Sequence, residues 1–470
     1  MNKPSLVMLS SAIFLSACGS NSEPPSRAAV APSPAPALPP TANAAAPPAL
    51  PDPGAADPPA DAPFVASPMA LPEEGAAPDT APDTEAPQAT SADEFAVAAY
   101  VPADGPLVAA AVPGEGLEAL AGPGRPRLYV SPKGADANPG TQERPFRSLA
   151  RAARTVRPGT LVLVAPGSYS GGLRSAISGS AGARITFLST QKWGARITAP
   201  RNSPSKTAWD NRGSHVDIVG FEIDGRAYQG GVPWTHGIYS GGSFVAIRHN
   251  RVHHIAQQSP CNRGGGAAIG VDSYFGGVSA DVIANLVHDI GPAGCRFVQG
   301  IYVSTSARVK NNVIYRVAEG GIHLWHDANN VIITNNTVTA SNTGIIVGGG
   351  NFYHRHAGND HTAVYSNMVY DNRMGISEQG KTGRHNTYRN NLVYNNSRYN
   401  WQLKNGLRHA GTVTAPPRLL GSVRDSSPNL RPAPGSPAIG MALPLHAEST
   451  DFAGRPRNAQ AGFDIGAYQH

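Results

Sequence analysis

A histidine, a tyrosine and a tryptophan occupy related places in one recurring phrase of the sequence. Tyr302 and His323 each directly follow a Gly-Ile pair, 21 residues apart, and Trp325 comes two residues after His323. Imidazole titrates near neutral pH and can accept a proton, and a phenol can donate one. A flat indole can also stack on a ring-shaped ligand. Brought side by side, these residues predict proton-transfer chemistry with His323 as base and Tyr302 as proton donor.

Further polar and aromatic side chains cluster around the same phrase. The stretches 256–266 and 291–298 interrupt it and bring arginines that could neutralise an anionic ligand. An acidic residue of a neighbouring strand, Asp272, is the candidate metal ligand, with calcium as the cofactor to consider. The residues for which we predict a substrate-binding role are Tyr239, His236, Arg263, Arg296, Trp325 and His326.

The element that must position these residues is a repeat of short strands. Gly-Ile recurs five times between residues 237 and 376, and Asn followed two residues later by Val or Ile recurs six times, at steps of 24 to 35 residues. The units are rich in Val, Ile, Asn and Gly and lack helical periodicity, which predicts an all-β solenoid, the parallel β-helix. The second phrase begins at Asn250, Asn285, Asn312, Asn336, Asn367 and Asn391.

The repeat also predicts which side chains face inward and outward. Asn tolerates the left-handed backbone of a sharp turn, and its amide can bond the equivalent Asn one coil away, so we expect an internal Asn ladder. In each Gly-Ile strand the Ile faces the core and the next residue faces outward, in coils about 4.8 Å apart. The first outward column is Tyr239, Gly270, Tyr302, His323, Ile346 and Ser377. A second, more uniform column, interpreted as structural, is His253, His288, Tyr315, Thr339, Tyr370 and Tyr394.

The N-terminal part of the chain reads as an export signal followed by a tether. Residues 1–18 contain Lys3 and an apolar run too short to span a membrane. Their last four residues, Leu-Ser-Ala-Cys, resemble a bacterial lipobox, which implies cleavage before Cys18 and lipid on its thiol. Gly19 favours an outer-membrane anchor, periplasmic or surface-facing. An ordinary secretory signal remains the alternative.

Residues 19–125 differ from the rest in composition and charge. They are rich in Pro and Ala and hold 14 Asp and Glu against 2 Arg, which predicts a disordered acidic linker. Residues 126–470, the predicted folded domain, hold 35 Lys and Arg against 18 Asp and Glu, a net charge of +17. A basic exported domain suggests an acidic partner, and we expect an acidic polysaccharide and no nucleic acid. A generally solvated basic surface is the alternative.

The folded domain opens with a strand at 128–130 and an amphipathic segment, Pro145–Val156. The segment places Leu149, Ala152 and Val156 on one helical face, with Pro145 in the first turn. Such a helix would cover the open end of the solenoid, which otherwise exposes strand edges.

This opening, YVSPKGADANPGTQERPFRSLARAARTVRPGTLVLVAPGSY, resembles bacterial right-handed parallel β-helix proteins of the pectate-lyase superfamily, including polysaccharide lyase family nine. The resemblance covers residues 127–470 and includes the closing segment from Asp451 to Tyr468. It implies a right-handed β-helix whose first column is the floor of a substrate groove. The calcium-binding Asp cluster and Lys base of family nine are not matched here, so those roles are not carried over.

The chemistry predicted is β-elimination on a uronate-containing polysaccharide. A base removes the proton next to a carboxylate that a cation or hydrogen-bond donors neutralise. A non-catalytic glycan-binding or surface protein is the alternative, and a uronate epimerase or a glycoside hydrolase on the same fold stays open. We expect a monomer attached to the membrane only through its lipid anchor.

Three cysteines are present. With Cys18 lipidated, Cys261 and Cys295 remain in an oxidising compartment, in loops of consecutive coils. We predict a disulfide between them, and metal binding by the two thiols alone is the weaker alternative.

Overall fold

The computed structural model describes residues 124–261, 265–350, 358–460 and 462–470. The predicted signal, most of the predicted linker, Cys18 and Arg263 lie outside the described residues. The described chain winds through successive coils, each contributing one strand to each of three sheets, and all the strand pairs within the sheets are parallel. The predicted right-handed parallel β-helix is confirmed. Within the described residues no helix has the length and apolarity needed to cross a membrane.

Each coil passes through the three sheets in the order A, B, C. Sheet A consists of β1 Arg127–Val130, β2 Leu161–Val164, β5 Ile185–Ser189, β8 Val216–Val219, β11 Val245–Arg248, β14 Ala280–Ile283, β17 Ala307–Lys310, β20 Ile332–Thr334, β23 Ala363–Tyr365, β26 Thr387–Arg389 and β29 His409–Ala410. Sheet B consists of β3 Gly167–Ser170, β6 Ala195–Thr198, β9 Glu222–Asp224, β12 Arg251–His253, β15 Leu286–Ile290, β18 Val313–Val317, β21 Thr337–Thr339, β24 Met368–Tyr370 and β27 Leu392–Tyr394. Sheet C consists of β4 Leu173–Ser175, β7 Thr207–Asn211, β10 His236–Ser240, β13 Gly266–Asp272, β16 Val298–Ser304, β19 Gly320–Leu324, β22 Thr343–Gly349, β25 Met374–Gly380 and β28 Tyr399–Gln402.

The core is a stack of aliphatic side chains enclosed by the three sheets. The Ile of each Gly-Ile phrase lies in sheet C and is completely buried, as the alternation predicted. Burying an Ile side chain contributes about 1.5–3 kcal/mol, so a column of them is a large part of the stability of the coils. The column consists of Ile238, Ile269, Ile301, Ile322, Ile345 and Ile376.

The predicted Asn ladder occupies the turn between sheets A and B. The Asn312 side-chain amide donates to Asn336 Oδ1 at 2.9 Å, and the Asn312 backbone N–H donates to the same oxygen at 2.9 Å. The second amide hydrogen of Asn312 bonds the Val282 carbonyl at 2.8 Å. The same pattern runs from Asn250 to Asn391, and every ladder Asn is fully buried.

The left-handed residue of this turn is the one before each ladder Asn, not the ladder Asn itself. Positive φ values of 50–57° occur at His249, Ala284, Asn311, Asn335, Ser366 and Asn390. The expectation that the ladder Asn adopts this backbone was wrong. Asn is required at the ladder position because its amide joins two coils from inside the β-helix. The left-handed residue before it points outward and cannot make these hydrogen bonds.

The N-terminal helix, α1, spans Leu149–Thr155 and is shorter than predicted. Ser148 is its N-cap and accepts the Arg151 backbone N–H at 3.1 Å. Pro145 thus precedes the helix and does not lie in its first turn. Phe146, next to it, forms a β-bridge with Val130. Buried Leu149, Ala152 and Ala153 belong to the same apolar core as the strands, so α1 covers the first coil.

The closing segment after β29 folds back along the outside of the coils. Phe452 and Ala467 are buried against Val313 and Tyr315. The buried Arg457 guanidinium donates to Asn311 Oδ1 at 2.9 Å, next to the ladder turn. The closing motif therefore packs the outer edge of the A–B turn, which explains its sequence without a catalytic role.

We predict that Asn312→Ala strongly lowers the free energy of unfolding. It would leave buried polar groups of Asn285 without an acceptor, a cost of about 3 kcal/mol. The denaturation midpoint of the full chain, followed by circular dichroism, should fall. Asn458→Ala, at an exposed position, is the matched control and should unfold like the wild type. Equal midpoints for Asn312→Ala and wild type would contradict the structural role of the ladder.

Candidate functional site

The first outward column forms on sheet C in the predicted order. The strand register aligns Tyr239 with Gly270, Gly270 with Tyr302, and Tyr302 with His323. Its continuation, Ile346 and Ser377, is buried, at 1% and 0% exposure. The partly exposed residues of the column are therefore Tyr239, Tyr302 and His323.

His323 and Tyr302 are neighbours, as the spacing predicted. Their ring centroids lie 5.6 Å apart in an edge-to-face arrangement, and the Trp325 ring lies 5.3 Å from the His323 ring. Both ring nitrogens of His323 are buried and have no hydrogen-bond partner within the described part of the chain. Burial, together with nearby His326, lowers the pKa of His323 to about 3, so its imidazole is neutral at pH 7.

Trp325 packs against the backbone of the following coil. A Cβ on Gly348 would come within 2.6 Å of the indole, and one on Gly350 would come within 2.7 Å of the indole nitrogen and 2.4 Å of His326 Nδ1. These glycines make room for the two side chains, which are half-buried. Trp325 is thus held in place beside His323, with one side on the protein.

Asp272 accepts the hydrogen bonds of a network on sheet C. Its carboxylate accepts the Tyr239 hydroxyl at 2.8 Å, the Ser304 hydroxyl at 2.6 Å and the Tyr274 backbone N–H at 2.9 Å. No group of three or more His, Cys, Asp or Glu side chains that could hold a metal ion in the described chain includes Asp272. Its role as a calcium ligand stays a prediction.

His236 lies over the gap left by Gly270, beside Tyr239. The His236 and Tyr239 rings meet edge to face with centroids 5.6 Å apart. Burial and the neighbouring Lys206 lower the pKa of His236 to about 4. Burial and the Asp272 charge raise the pKa of the Tyr239 phenol above its usual range. Both side chains are therefore neutral at pH 7. The Tyr239 hydroxyl donates its proton to Asp272, so its oxygen could only accept a hydrogen bond from a ligand.

Arg212, which sequence reasoning missed, brings a cation to this end of the column. Its Nε donates to Asp210 Oδ1 at 2.6 Å, and its guanidinium carbon lies 3.5 Å from the centre of the Phe275 ring and 4.9 Å from that of Tyr239. Its coil has no Gly-Ile phrase, so the repeat gave no signal. The only indication of a polar group here was Asp210, which lies within the otherwise buried strand β7.

Two disulfide-linked loops border the column on the side where sheet B leads into sheet C. Cys261 and Cys295 form the predicted disulfide, with Cα atoms 5.4 Å apart. Arg296, in the second loop, is exposed and lies close enough to buried Glu319 to favour its ionised form. Burial nevertheless raises the pKa of Glu319. Arg296 is thus near the coil that carries His323.

Exposed aromatic side chains border the column on both sides. Tyr274 and Phe275 follow β13 and are 39% and 40% exposed, and Phe297 precedes β16 and is 39% exposed. Large exposed aromatic rings next to polar groups are typical of ligand-binding surfaces.

The second column, on sheet B, is a stacked and ion-paired surface. The His253 and His288 rings are parallel with centroids 4.9 Å apart, and Tyr315 stacks on His288 at 5.0 Å. Glu222 pairs with Arg196 at 2.7 Å and with His253 at 3.0 Å. Every polar group named here has a protein partner or a stacked neighbour, which supports the structural interpretation.

Comparison with known proteins gives limited matches. A family model described as "Protein of unknown function (DUF1565)" matches residues 132–175. A curated relative, the "Uncharacterized protein YwoF" of Bacillus subtilis (strain 168), is 33% identical over 136 residues. That match spans 27% of this chain and 29% of the relative's length.

Several solved structures are similar in fold. Pectate lyase Pel9A is 16% identical over 73% of this chain and 96% of its own, with a TM-score of 0.48. An alginate lyase from Paenibacillus sp. str. FPU-7 is 16% identical over 57% of this chain and 92% of its own, with a TM-score of 0.39. The A-module of the mannuronan C-5 epimerase AlgE4 of Azotobacter vinelandii is 12% identical over 54% and 74%, with a TM-score of 0.37.

We predict that His323 titrates with a midpoint near pH 3, because protonating it places a charge in a buried site. The measurement is a nitrogen-15 NMR titration of the histidine side chains from about pH 8 down to about pH 2, below the expected midpoint. His323→Gln identifies the signal that belongs to this residue. A midpoint near the ordinary histidine value of about 6.5 would contradict the buried environment.

Proposed function

We propose that the protein acts on an acidic, uronate-containing polysaccharide and cleaves it by β-elimination. The observation that carries this proposal is the His323–Tyr302 pair, a neutral imidazole whose ring nitrogens are unpartnered among the described residues, beside a phenol, with ring centroids 5.6 Å apart. The net charge of +17 on residues 126–470 favours an acidic polymer.

In the proposed reaction, His323 removes the proton on the carbon next to the uronate carboxylate. The electron pair of the broken carbon–hydrogen bond forms a double bond to the neighbouring carbon. The bond between that neighbouring carbon and the glycosidic oxygen breaks at the same time. Tyr302 donates its proton to that leaving oxygen, and the proton on His323 later returns to Tyr302 through solvent. Carbon, oxygen and proton counts balance without an external reactant.

Two features support the binding part of this proposal. Arg296 lies near the His323 coil and could neutralise the reacting carboxylate, which lowers the barrier to proton removal. The polymer would run along the column toward Tyr239, where Arg212 supplies a second cation. Trp325 and His326 border the reacting end, and His236 borders the other end. No step of this reaction runs through calcium.

A non-catalytic glycan-binding protein is the second candidate. The exposed rings of Tyr274, Phe275 and Phe297 favour it, because stacking on sugar rings requires no acid–base pair. The ring nitrogens of His323 are also buried, so that catalysis requires the substrate to reach them as it binds. A uronate epimerase would use the same proton removal and differ only in returning the proton to the other face.

We predict that His323→Ala lowers the rate of cleavage about 100- to 10,000-fold, as for loss of a general base. The full chain is incubated with a panel of polyuronates, and ultraviolet absorbance of new unsaturated sugar ends is followed. His446→Ala, a half-buried histidine outside sheet C, is the matched control and should keep the wild-type rate.

Three outcomes of that assay separate the candidates. Cleavage by wild type that survives in His323→Ala removes His323 as the base. Binding to an acidic glycan column without cleavage favours the binding protein. Hydrogen exchange from solvent into the polymer without chain cleavage indicates the epimerase.

We also propose that the protein is exported and held at the cell envelope by a lipid on Cys18, with residues 19–125 as a tether. The supporting feature is the lipobox-like Leu-Ser-Ala-Cys sequence. Cys18→Ser should move the protein from the membrane fraction to the soluble fraction and abolish incorporation of labelled fatty acid. Membrane association that is unchanged in Cys18→Ser would contradict the anchor.

A further inference from the structure

A second cluster of possible ligand side chains lies away from the sheet C column, where sheet C leads into sheet A in the last coils. Asp360 and His361 precede β23, and His385 precedes β26 one coil later. The His361 and His385 rings lie parallel with centroids 4.5 Å apart. His385 Nδ1 is 2.7 Å and His361 Nε2 is 3.9 Å from Asp360 Oδ2.

The carboxylate of Asp360 is held in a fixed orientation. Its Oδ1 accepts the backbone N–H groups of His361 at 3.0 Å and of His385 at 2.9 Å. This leaves Oδ2 directed toward the two imidazoles. Gly383 makes the arrangement possible, since a Cβ there would lie 2.1 Å from the Asp360 carboxyl carbon. The glycine thus leaves room for the Asp360 carboxylate in this position between two coils.

We propose that Asp360, His361 and His385 bind a divalent transition-metal ion of the zinc class. Two imidazole nitrogens and one carboxylate oxygen form the ligand set that suits zinc, whereas calcium requires oxygen ligands alone. A zinc ion about 2 Å from each ligand atom needs these atoms about 3 Å apart. The distance between His385 Nδ1 and Asp360 Oδ2 is close to this value. The His361 side chain must move so that its Nε2 comes about 1 Å closer to Asp360 Oδ2. Both imidazoles are well exposed, at 43% and 60%, so solvent can complete the coordination.

Charge distinguishes this cluster from the two similar clusters on sheet B. There, Glu222, Asp224 and Asp289 are ion-paired with Arg196, Arg226 and Arg316 at 2.6–2.7 Å. An arginine already neutralises each of those carboxylates and would repel a metal cation. Among the described residues, the ion-pair partners of Asp360 are the two histidines themselves. A metal ion would therefore supply the charge that arginine supplies on sheet B.

The site would link two turns of consecutive coils near the C-terminal end of the β-helix. Binding of an ion by the folded state stabilises that state in proportion to ligand concentration. We expect the bound ion to stabilise the last coils of the β-helix against unfolding. This role is independent of the proposed polysaccharide chemistry on sheet C.

The test is zinc titration of the chelator-treated full chain by calorimetry, with cobalt absorption as a second readout. His361→Asn and His385→Ala should each weaken zinc binding about 100-fold or more and abolish the zinc-induced rise in thermal midpoint. Asn keeps the left-handed backbone of position 361, where φ is 53°. Both positions are at the surface, so the variants should unfold like the wild type in the absence of metal.

His254→Asn is the matched control. It has the same left-handed backbone, with φ of 55°, and belongs to the sheet B cluster with His288 and Asp289. It should bind zinc as tightly as the wild type. Unchanged affinity in both His361→Asn and His385→Ala, loss of affinity in His254→Asn instead, or displacement of zinc by equimolar calcium would each overturn the proposal.

Discussion

A continuous chain of buried amide hydrogen bonds holds the coils in register. Each ladder Asn from Asn250 to Asn367 has both amide hydrogens and its oxygen bonded to residues of neighbouring coils, within 3.1 Å. Because a buried amide without partners is costly, each ladder Asn must stay directly above the next. The turn between sheets A and B is therefore uniform, and insertions occur at the other two turns. This explains why the steps between ladder residues vary from 24 to 35 while the ladder itself continues unbroken.

The same register determines what the outer surfaces present. Sheets B and C both stack aromatic and imidazole rings at the coil spacing, yet the two columns differ in their partners. On sheet B, His253 contacts a carboxylate that arginine also neutralises. On sheet C, His323 has neighbouring rings but no hydrogen-bond partner among the described residues. Stacking alone is a property of the solenoid, so the unsatisfied imidazole is what favours sheet C as the reactive face.

Several local sequence features that look functional are explained by the hydrogen bonds that they make within the fold. The closing motif from Asp451 to Tyr468 uses a buried aspartate to accept backbone N–H groups of Ala453 and Arg455, both at 2.8 Å. Asp272, predicted as a metal ligand, accepts hydrogen bonds from the Tyr239 and Ser304 hydroxyls and the Tyr274 backbone N–H. In contrast, Asp360 is held by backbone N–H groups and leaves one oxygen for two exposed imidazoles. The partners of a carboxylate thus decide its role more than its position in the repeat.

Periodicity in the sequence determined the parallel β-helix, the buried Ile column, the Asn ladder and the order of Tyr239, Tyr302 and His323 on one face. These features follow from strand alternation and a constant coil spacing, which the spacing of two short phrases reveals directly. The pairing of Cys261 with Cys295 followed from their loops being one coil apart. Only the tertiary structure decided the contact of Arg212 with Tyr239, the hydrogen bonds to Asp272 and the approach of His385 to Asp360. Those contacts depend on how far a side chain reaches across coils whose insertions break the period, and a repeat pattern carries no information about that reach.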